Sequence, residues 1–310
     1  MVYLTKQKKG KNTYYYLVEN LQIARGRRKQ IRKYLGNKEP SETKKQALMA
    51  EFEKEVEKEK REVLGFHYIT KDEITCVDEI NNAFWGKYKK QNPSVREEFD
   101  QNFIMAFVFN SNSIEGSTLS PKEVELLLSE NISPNKALED VLEAKAAQKT
   151  LQFVKEYKGE FDEKLLLQVH EMYFKDTKPY IAGKYKTRQN RVRGSNFEPT
   201  PPQYVITDMK NYFKEYARLA KELHPLELAA WAHWKLVRIH PFQDGNGRTA
   251  RIIMNFILNK NGYAMIDIKT KEKQQYFSAM EKCHYNNNGR ALAVRLVRRF
   301  KKQYKNALID

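Results

Sequence analysis

Cysteine is nearly missing from this sequence of 310 residues: only Cys76 and Cys283 occur, and neither has a second Cys or a His at ligand spacing. That excludes a disulfide framework and a structural zinc site, and two isolated thiols fit a reducing compartment. Long apolar runs are missing too. The longest, FIMAFVF (103–109), is far too short for a membrane span, and MVYLTKQKKGK at the N-terminus has no signal-type apolar stretch. A cytoplasmic protein with no membrane partner is expected. Nor do strands alternate with helices in the way that builds a parallel nucleotide-binding sheet, which removes Rossmann and P-loop architectures.

Acidic residues are scarce at one end. Residues 1–38 hold eleven Lys/Arg against one acid, Glu19, and so carry +10 of the chain's net +17. A second run, GRALAVRLVRRFKKQYK (289–305), has seven Lys/Arg and no acid. Clusters of this kind either hold phosphate backbones or form solvated faces.

With 41% hydrophobic residues the chain can bury one sizeable core plus an accessory module. The expected divisions are a basic β-meander over 1–38, a helical linker region over 39–94 and a main domain over 95–310. In the first, runs rich in Tyr, Val and Ile are punctuated by Gly10 and Gly26. In the second, the helix over 41–64 shows only a narrow stripe of Leu48, Phe52 and Val56, as suits a linker or docking arm. From Thr70 onward the signals are helical. Thr70 with Glu73, Ser94 with Glu97, and Ser120 with Pro121 and Glu123 are expected helix starts. Helices are expected at about 71–90, 95–115, 121–129, 134–157, 162–175, 203–222, 225–239, 246–261, 271–286 and 289–307. The stretch GKYKTRQNRVRGSNFEPTPP (183–202), polar, basic and closed by prolines, is expected to project as a loop or β-hairpin. The fold class is therefore mainly α, with a small N-terminal β-meander.

The chemistry concentrates in HPFQDGNGRTAR (240–251). Pro241 takes the chain out of the apolar helix before it and leaves His240 at the exit. The glycines let the backbone turn sharply, and a new helix starts near Asn246. The amides of Gly245, Asn246 and Gly247 then sit at a positive helix end, and Arg248 and Arg251, three apart, lie over the same anion site. An arginine pair above exposed amides suits a polyphosphate. Asp244 would repel that anion unless a cation intervened, and Mg²⁺ is held by one or two carboxylates plus phosphate oxygens. His240 is suited to take a proton from a hydroxyl nucleophile. His233, seven residues before His240 on the same helix and facing a similar side, and His170 read as satisfied core histidines.

This segment resembles the signature of the Fic family, His-x-Phe-x-Asp/Glu-Gly-Asn-Gly-Arg-x-x-Arg, at every specified position. The resemblance extends over about residues 98–300 and implies a Fic-fold helical core with a β-hairpin flap. It implies a protein adenylyltransferase that moves AMP from ATP to a Ser, Thr or Tyr hydroxyl of a target protein. His240 would be the base, Asp244 would hold Mg²⁺, and Gly245, Asn246 and Gly247 would form the anion hole. Arg248 would take the β phosphate and Arg251 the γ phosphate, while Phe242 anchors the loop. Tyr276 resembles the residue lining the adenine pocket, with Asn286 as a neighbour, although plain helix packing accounts for Tyr276 equally well. The flap residues Lys186, Val192 and Arg193 would dock the target. Lys186 stands where the family commonly has Arg, so the bidentate fork is lost.

SNSIEG (111–116) matches a second family element, an inhibitory helix, through Ser111, Glu115 and Gly116. Lying ahead of the core, within 95–116, it implies the class with an N-terminal inhibitory helix, Glu115 pairing with Arg251. The plainer alternative is that Glu115 ends a helix before a glycine cap. The N-terminal meander resembles short three-stranded modules near the ends of DNA-handling proteins, which allows nucleic acid as a partner of residues 1–38, with the protein target or a dimer contact as equal alternatives. A homodimer is a further implication of the resemblance. Removal of AMP by the same site, a nucleic-acid-binding regulator with a nucleotide-sensing core, and another nucleotide donor all stay open.

Overall fold

The computed structural model describes residues 2–10, 12–24, 27–64, 68–192 and 197–307, and the chain divides into two compact units, Met1–His67 with Glu222–His224, and Tyr68–Lys221 with Pro225–Asp310.

In the first unit β1 (Tyr3–Lys9), β2 (Asn12–Ala24) and β3 (Arg27–Gly36) form an antiparallel meander in the order β1-β2-β3. Alternation along the strands puts Val2, Leu4, Leu17, Ile31 and Leu35 on one face. A register shift between Tyr15 and Tyr16 marks a bulge on β2. Helix α1 (Glu42–Leu64), expected as a linker or docking arm, instead packs its stripe of Leu48, Phe52 and Val56 onto that face, with Phe52 and Val56 buried against Val2 and Leu17. A three-stranded sheet without such a cover would be marginal in water, so the narrow stripe is wide enough for its task.

The second unit is built of α2 (Lys71–Lys90), α3 (Pro93–Glu115), α4 (Pro121–Ser129), α5 (Leu138–Glu156), α6 (Glu163–Phe174), α7 (Pro202–Leu219), α8 (Pro225–Ile239), α9 (Asn246–Lys260), α10 (Lys273–Asn286) and α11 (Arg290–Tyr304). Helix α2, expected with the linker region, belongs to this unit and packs on α11. Helices α8 and α9 are buried on nearly every side, the mark of the central pair of a helical body. Around them stand α5, α6, α7, α10 and α11. Capping boxes at Thr70 with Glu73 and at Ser120 with Glu123 open α2 and α4 as expected. Ser94 does not cap α3: that helix begins two residues earlier than expected, at Pro93, after Asn92, because proline's fixed φ suits a first helical position.

The expected β-hairpin flap is a correction as well. Among the described residues of 183–202 there is no strand, and a lone bridge, Tyr185 to Phe242, is the β contact there. Pro199, Pro201 and Pro202 have no N–H to build a ladder with, and side-chain bonds take its place: Asn190 Nδ2 donates to the carbonyls of Phe242 (2.9 Å) and Gln243 (3.3 Å). No helix among the described residues is long and apolar enough to cross a membrane.

Candidate functional site

The site lies where α8 hands over to α9, and its first requirement is a loop held rigid enough to aim its side chains. His240 has a positive φ of 55°, a left-handed conformation that only surrounding constraints make tolerable for a residue with a Cβ. Those constraints are visible. Asn246 clamps the backbone of Phe242 at both ends, its Oδ1 accepting from Phe242 N at 2.9 Å and its Nδ2 donating to Phe242 O at 2.8 Å. The Phe242 ring is fully buried and stacks on His170 at 3.8 Å. His170 Nε2 donates to the carbonyl of Asp244 at 3.0 Å while its Nδ1 accepts from Gly183 N at 3.0 Å, joining the loop to the flap. Burial pushes His170 down to about 4, so the neutral ring that this pairing needs is the stable one. Gly245, at φ 78°, turns the chain into α9; a Cβ there would lie 2.2 Å from the Phe174 ring.

His240 Nδ1 lies 3.2 Å from the Val237 carbonyl. A carbonyl only accepts, so Nδ1 carries the proton and Nε2 keeps its lone pair. Burial pushes the imidazole down to about 4 against the pull of the Val237 carbonyl, and the Lys186 ammonium adds to the lowering. The ring is therefore neutral at physiological pH and ready to accept a proton. Lys186, 4% exposed, donates to Asn190 Oδ1 at 2.8 Å, and burial brings it down to about 8. Val192 is half-buried on the same flap, and Arg193 lies outside the described residues.

The anion side of the site is already engaged by the protein's own charges. Arg251, 1% exposed, donates from Nε to Ser111 Oγ (3.0 Å), and from Nη2 to Ser111 O (2.9 Å) and Glu115 Oε1 (2.7 Å). Glu115 also rests against the first turn of α9: a Cβ on Gly247 would lie 2.3 Å from its Oε1. Burial works to raise the Glu115 carboxyl, but Arg251 and Arg248 outweigh it and hold it below the usual range. A third of the Glu115 side-chain surface remains open, so solvent screens part of that attraction. Gly116, at φ 110°, ends α3 with a left-handed cap. The plain reading of SNSIEG as a helix end is thus true, and the contact with Arg251 is present besides.

Arg248 lies over the Phe174 ring at 4.7 Å and pairs closely with the buried Glu143 through Nη1, while its Nη2 reaches Asp244 Oδ1 at 3.4 Å. Asp244 Oδ2 is 2.6 Å from Lys178 Nζ, which also meets Glu139 at 2.8 Å and Glu143 at 3.4 Å. Burial works to raise Asp244, and Arg248 and Lys178 outweigh it, so its carboxylate stays charged. The amide of Gly245 is taken by Asp244 Oδ1 at 2.6 Å, which corrects the expectation that it is an open donor. Arg248 Nε and Arg251 Nη1 are buried without a hydrogen-bond acceptor. Orphaned guanidinium donors beside a helix N-terminus fit an anion with several oxygens, and a charged carboxylate at its edge fits the metal that accompanies a polyphosphate.

Of two further sequence-predicted positions, Tyr276 interacts with Arg251 and Asn286 lies away from the loop. Tyr276 is 2% exposed and its hydroxyl is 2.7 Å from His233 Nε2, so it is a packed residue behind Arg251 rather than an open ring face. Asn286 is exposed at the end of α10 and lines the groove between α10 and α11 with Lys282 and Arg290. Conversely, Glu143, Lys178 and Asn190 are site residues that no spacing announces, since they come from α5, the loop after α6 and the flap. His170, read as core, is buried but positions the loop.

A helical body carrying a glycine-bearing loop that runs into a buried helix N-terminus, with a neutral histidine on one side and two arginines on the other, is the class of structure defined so far. The comparisons name it. Residues 160–258 match the family model described as Fic/DOC family. A protein adenylyltransferase fic-1 of Caenorhabditis briggsae is 28% identical over 217 residues, covering 67% of this chain and 41% of that protein. A protein adenylyltransferase Fic of Nematostella vectensis is 30% identical over 188 residues, covering 58% and 43%. A Fic domain containing signaling protein of Bacteroides thetaiotaomicron superposes with a TM-score of 0.66 at 27% identity, covering 73% of this chain and 94% of that one. The chain spans about two-fifths of the length of the curated relatives it matches.

Proposed function

We propose that this chain is a protein adenylyltransferase: it transfers AMP from ATP, with Mg²⁺, to a Ser, Thr or Tyr hydroxyl of another protein, and it rests in a state restrained by Glu115. The observation that carries the reading is the pairing, across one loop, of a neutral His240 whose Nε2 is unprotonated with orphaned donors on Arg248 and Arg251 at the N-terminus of α9. Two relatives, 28% and 30% identical over part of the chain, bear the name protein adenylyltransferase.

In this mechanism His240 Nε2 takes the proton of the target hydroxyl as its oxygen bonds to the α phosphorus, and the bond from that phosphorus to the departing pyrophosphate breaks. The imidazolium then loses its proton to solvent, helped by a site that favours the neutral ring. The first-turn amides of α9 and the arginines face the charge that develops on the phosphates, which is where most of the barrier reduction arises. Asp244 would hold Mg²⁺, which supplies charge neutralisation on the phosphates when bound. Both arginines must exchange protein carboxylates for phosphate oxygens, Arg251 giving up Glu115 and Arg248 loosening Glu143. The flap, tied to the loop by Asn190 and the Tyr185 bridge, would align the target chain beside His240.

Incubation with ATP labelled on the α phosphate, in parallel with the γ label, tests this. Protein-bound label from the α position alone supports transfer of AMP; label from the γ position would indicate phosphoryl transfer, and label from neither would leave nucleotide binding without transfer.

A further inference from the structure

We infer that the open face of the N-terminal sheet is a docking surface for duplex DNA, with the three strands set in the major groove. The inference is independent of the transferase reading, because it rests on the first unit alone.

The sheet's two faces are chemically opposite. One is closed by α1 over Leu17, Phe52 and Val56. The other carries Tyr3, Thr5 and Gln7 from β1, Tyr14, Tyr16, Val18 and Asn20 from β2, and Gln30, Arg32 and Tyr34 from β3, as the pairing register requires, with Val18 buried beneath its neighbours. None of these is acidic. The single carboxylate of residues 1–38, Glu19, falls on the opposite side of β2 and is 5% exposed. Among the described side chains, the accessible part of this face therefore shows aromatic, hydroxyl, amide and cationic groups, within a segment of net charge +10. Tyr3 and Tyr34 are 44% and 55% exposed, so their rings and hydroxyls are open to a partner.

These groups are held in place. Arg32 lies over the Tyr16 ring at 4.6 Å, Tyr16 packs on Tyr34 at 5.3 Å, and a chain of amide bonds runs from Gln30 Nε2 to Asn20 Oδ1 (2.9 Å) and from Asn20 Nδ2 to Tyr3 OH (3.0 Å). Because the rings pack on one another, they do not present the parallel faces on which unpaired bases stack. What they present is an ordered row of Arg, Gln, Asn and tyrosine hydroxyl groups, the side chains that read base edges and grip phosphates. Three strands about 4.8 Å apart span roughly 10 Å, and a major groove is about 12 Å wide. Lys8 and Lys9, with Gln7, border a shallow groove at the rim of the sheet beside Tyr14 and Tyr16, where a phosphate backbone would pass.

The test is fluorescence anisotropy of the full chain with a labelled duplex of about 30 base pairs, at salt concentrations from about 50 to 200 mM. Binding should weaken with salt at a log–log slope of roughly −4 to −6, as five or six phosphate contacts require. Arg32→Ala and Tyr34→Ala, both at exposed positions, should each lower affinity about tenfold with unchanged circular dichroism. Lys45→Ala, on the helix behind the sheet, should change it less than twofold, and His240→Ala should not change it. No binding at the lowest salt, equal loss with Lys45→Ala, no loss with Arg32→Ala and Tyr34→Ala, or tighter binding of single-stranded RNA of the same length would each overturn the assignment.

Discussion

Replacing Glu115 by glycine should accelerate AMP transfer by at least tenfold, and the structure gives the scale. Arg251 is 1% exposed and makes three bonds, one of them to Glu115 at 2.7 Å. A hydrogen bond to a charged group contributes about 1.5–3 kcal/mol, and the lower end applies here because a third of the Glu115 side chain is open to solvent. Removing a competitor worth about 1.5–2 kcal/mol frees the γ-phosphate position by roughly 10- to 30-fold, at 1.4 kcal/mol per decade. Repulsion between the carboxylate and the incoming phosphate adds to that figure. The same change leaves a buried guanidinium with only Ser111, so the variant should unfold earlier, by roughly 2–4 °C per kcal/mol lost. A nucleoside triphosphate at about 100 times its dissociation constant should restore about 2.7 kcal/mol. Initial rates with α-labelled ATP, beside thermal melts with and without nucleotide, measure all three. A folded Glu115→Gly that binds ATP no better and transfers no faster than the parent would refute the reasoning.

Other outcomes follow from the same contacts. Burial places the folded-state pKa values of His170, His240 and His284 at about 4 and that of His233 at about 3, all below the ordinary 6.5. Between those values and 6.5 the unfolded chain binds more protons, so stability should be full above about pH 6.5 and fall steadily towards pH 4, as melts across that range will read. Lys186→Met removes a charge that keeps His240 low; the acid limb of the pH–rate profile should move upward, with little change in the melting temperature. Lys178→Ala unties Asp244 from an ammonium at 2.6 Å, and titration with Mn²⁺ should show tighter metal binding, by about fivefold for a partly exposed pair. Gly245→Ala combines a φ of 78° with a Cβ 2.2 Å from Phe174, and should cost about 3 kcal/mol or more in chemical denaturation.

How much of this was legible beforehand divides along physical lines. The motif loop, the helix starts at Thr70 and Ser120, and the meander could be read because each depends on local chemistry: a hydroxyl with a third-position Glu, a proline at a helix exit, alternation in a strand. The Arg251 contact was implied by the resemblance of SNSIEG to an inhibitory helix and not by spacing, which shows only that Ser111 and Glu115, four apart, share one face at the end of α3. Glu143 and Lys178 could not be found that way, since their meaning arises only when α5 and the loop after α6 pack against α9. His170 looked like core because burial and positioning draw on the same apolar helix face. For the flap, the residues left loop and hairpin open and the resemblance implied a hairpin, while the bonds that hold the described part as a loop come from Asn190 across the fold. The helix over 42–64 seemed to have little to bury until the sheet it covers was in place.

The most direct measurement compares Glu115→Gly with the same variant carrying His240→Ala, each given ATP labelled on the α phosphate and a mixture of candidate proteins, itself included. The account predicts strong protein labelling by the first and near-complete loss in the second, with nucleotide binding retained by both. Labelling that survives His240→Ala would contradict the account at its centre, because the transfer would then proceed without the base on which the site is built.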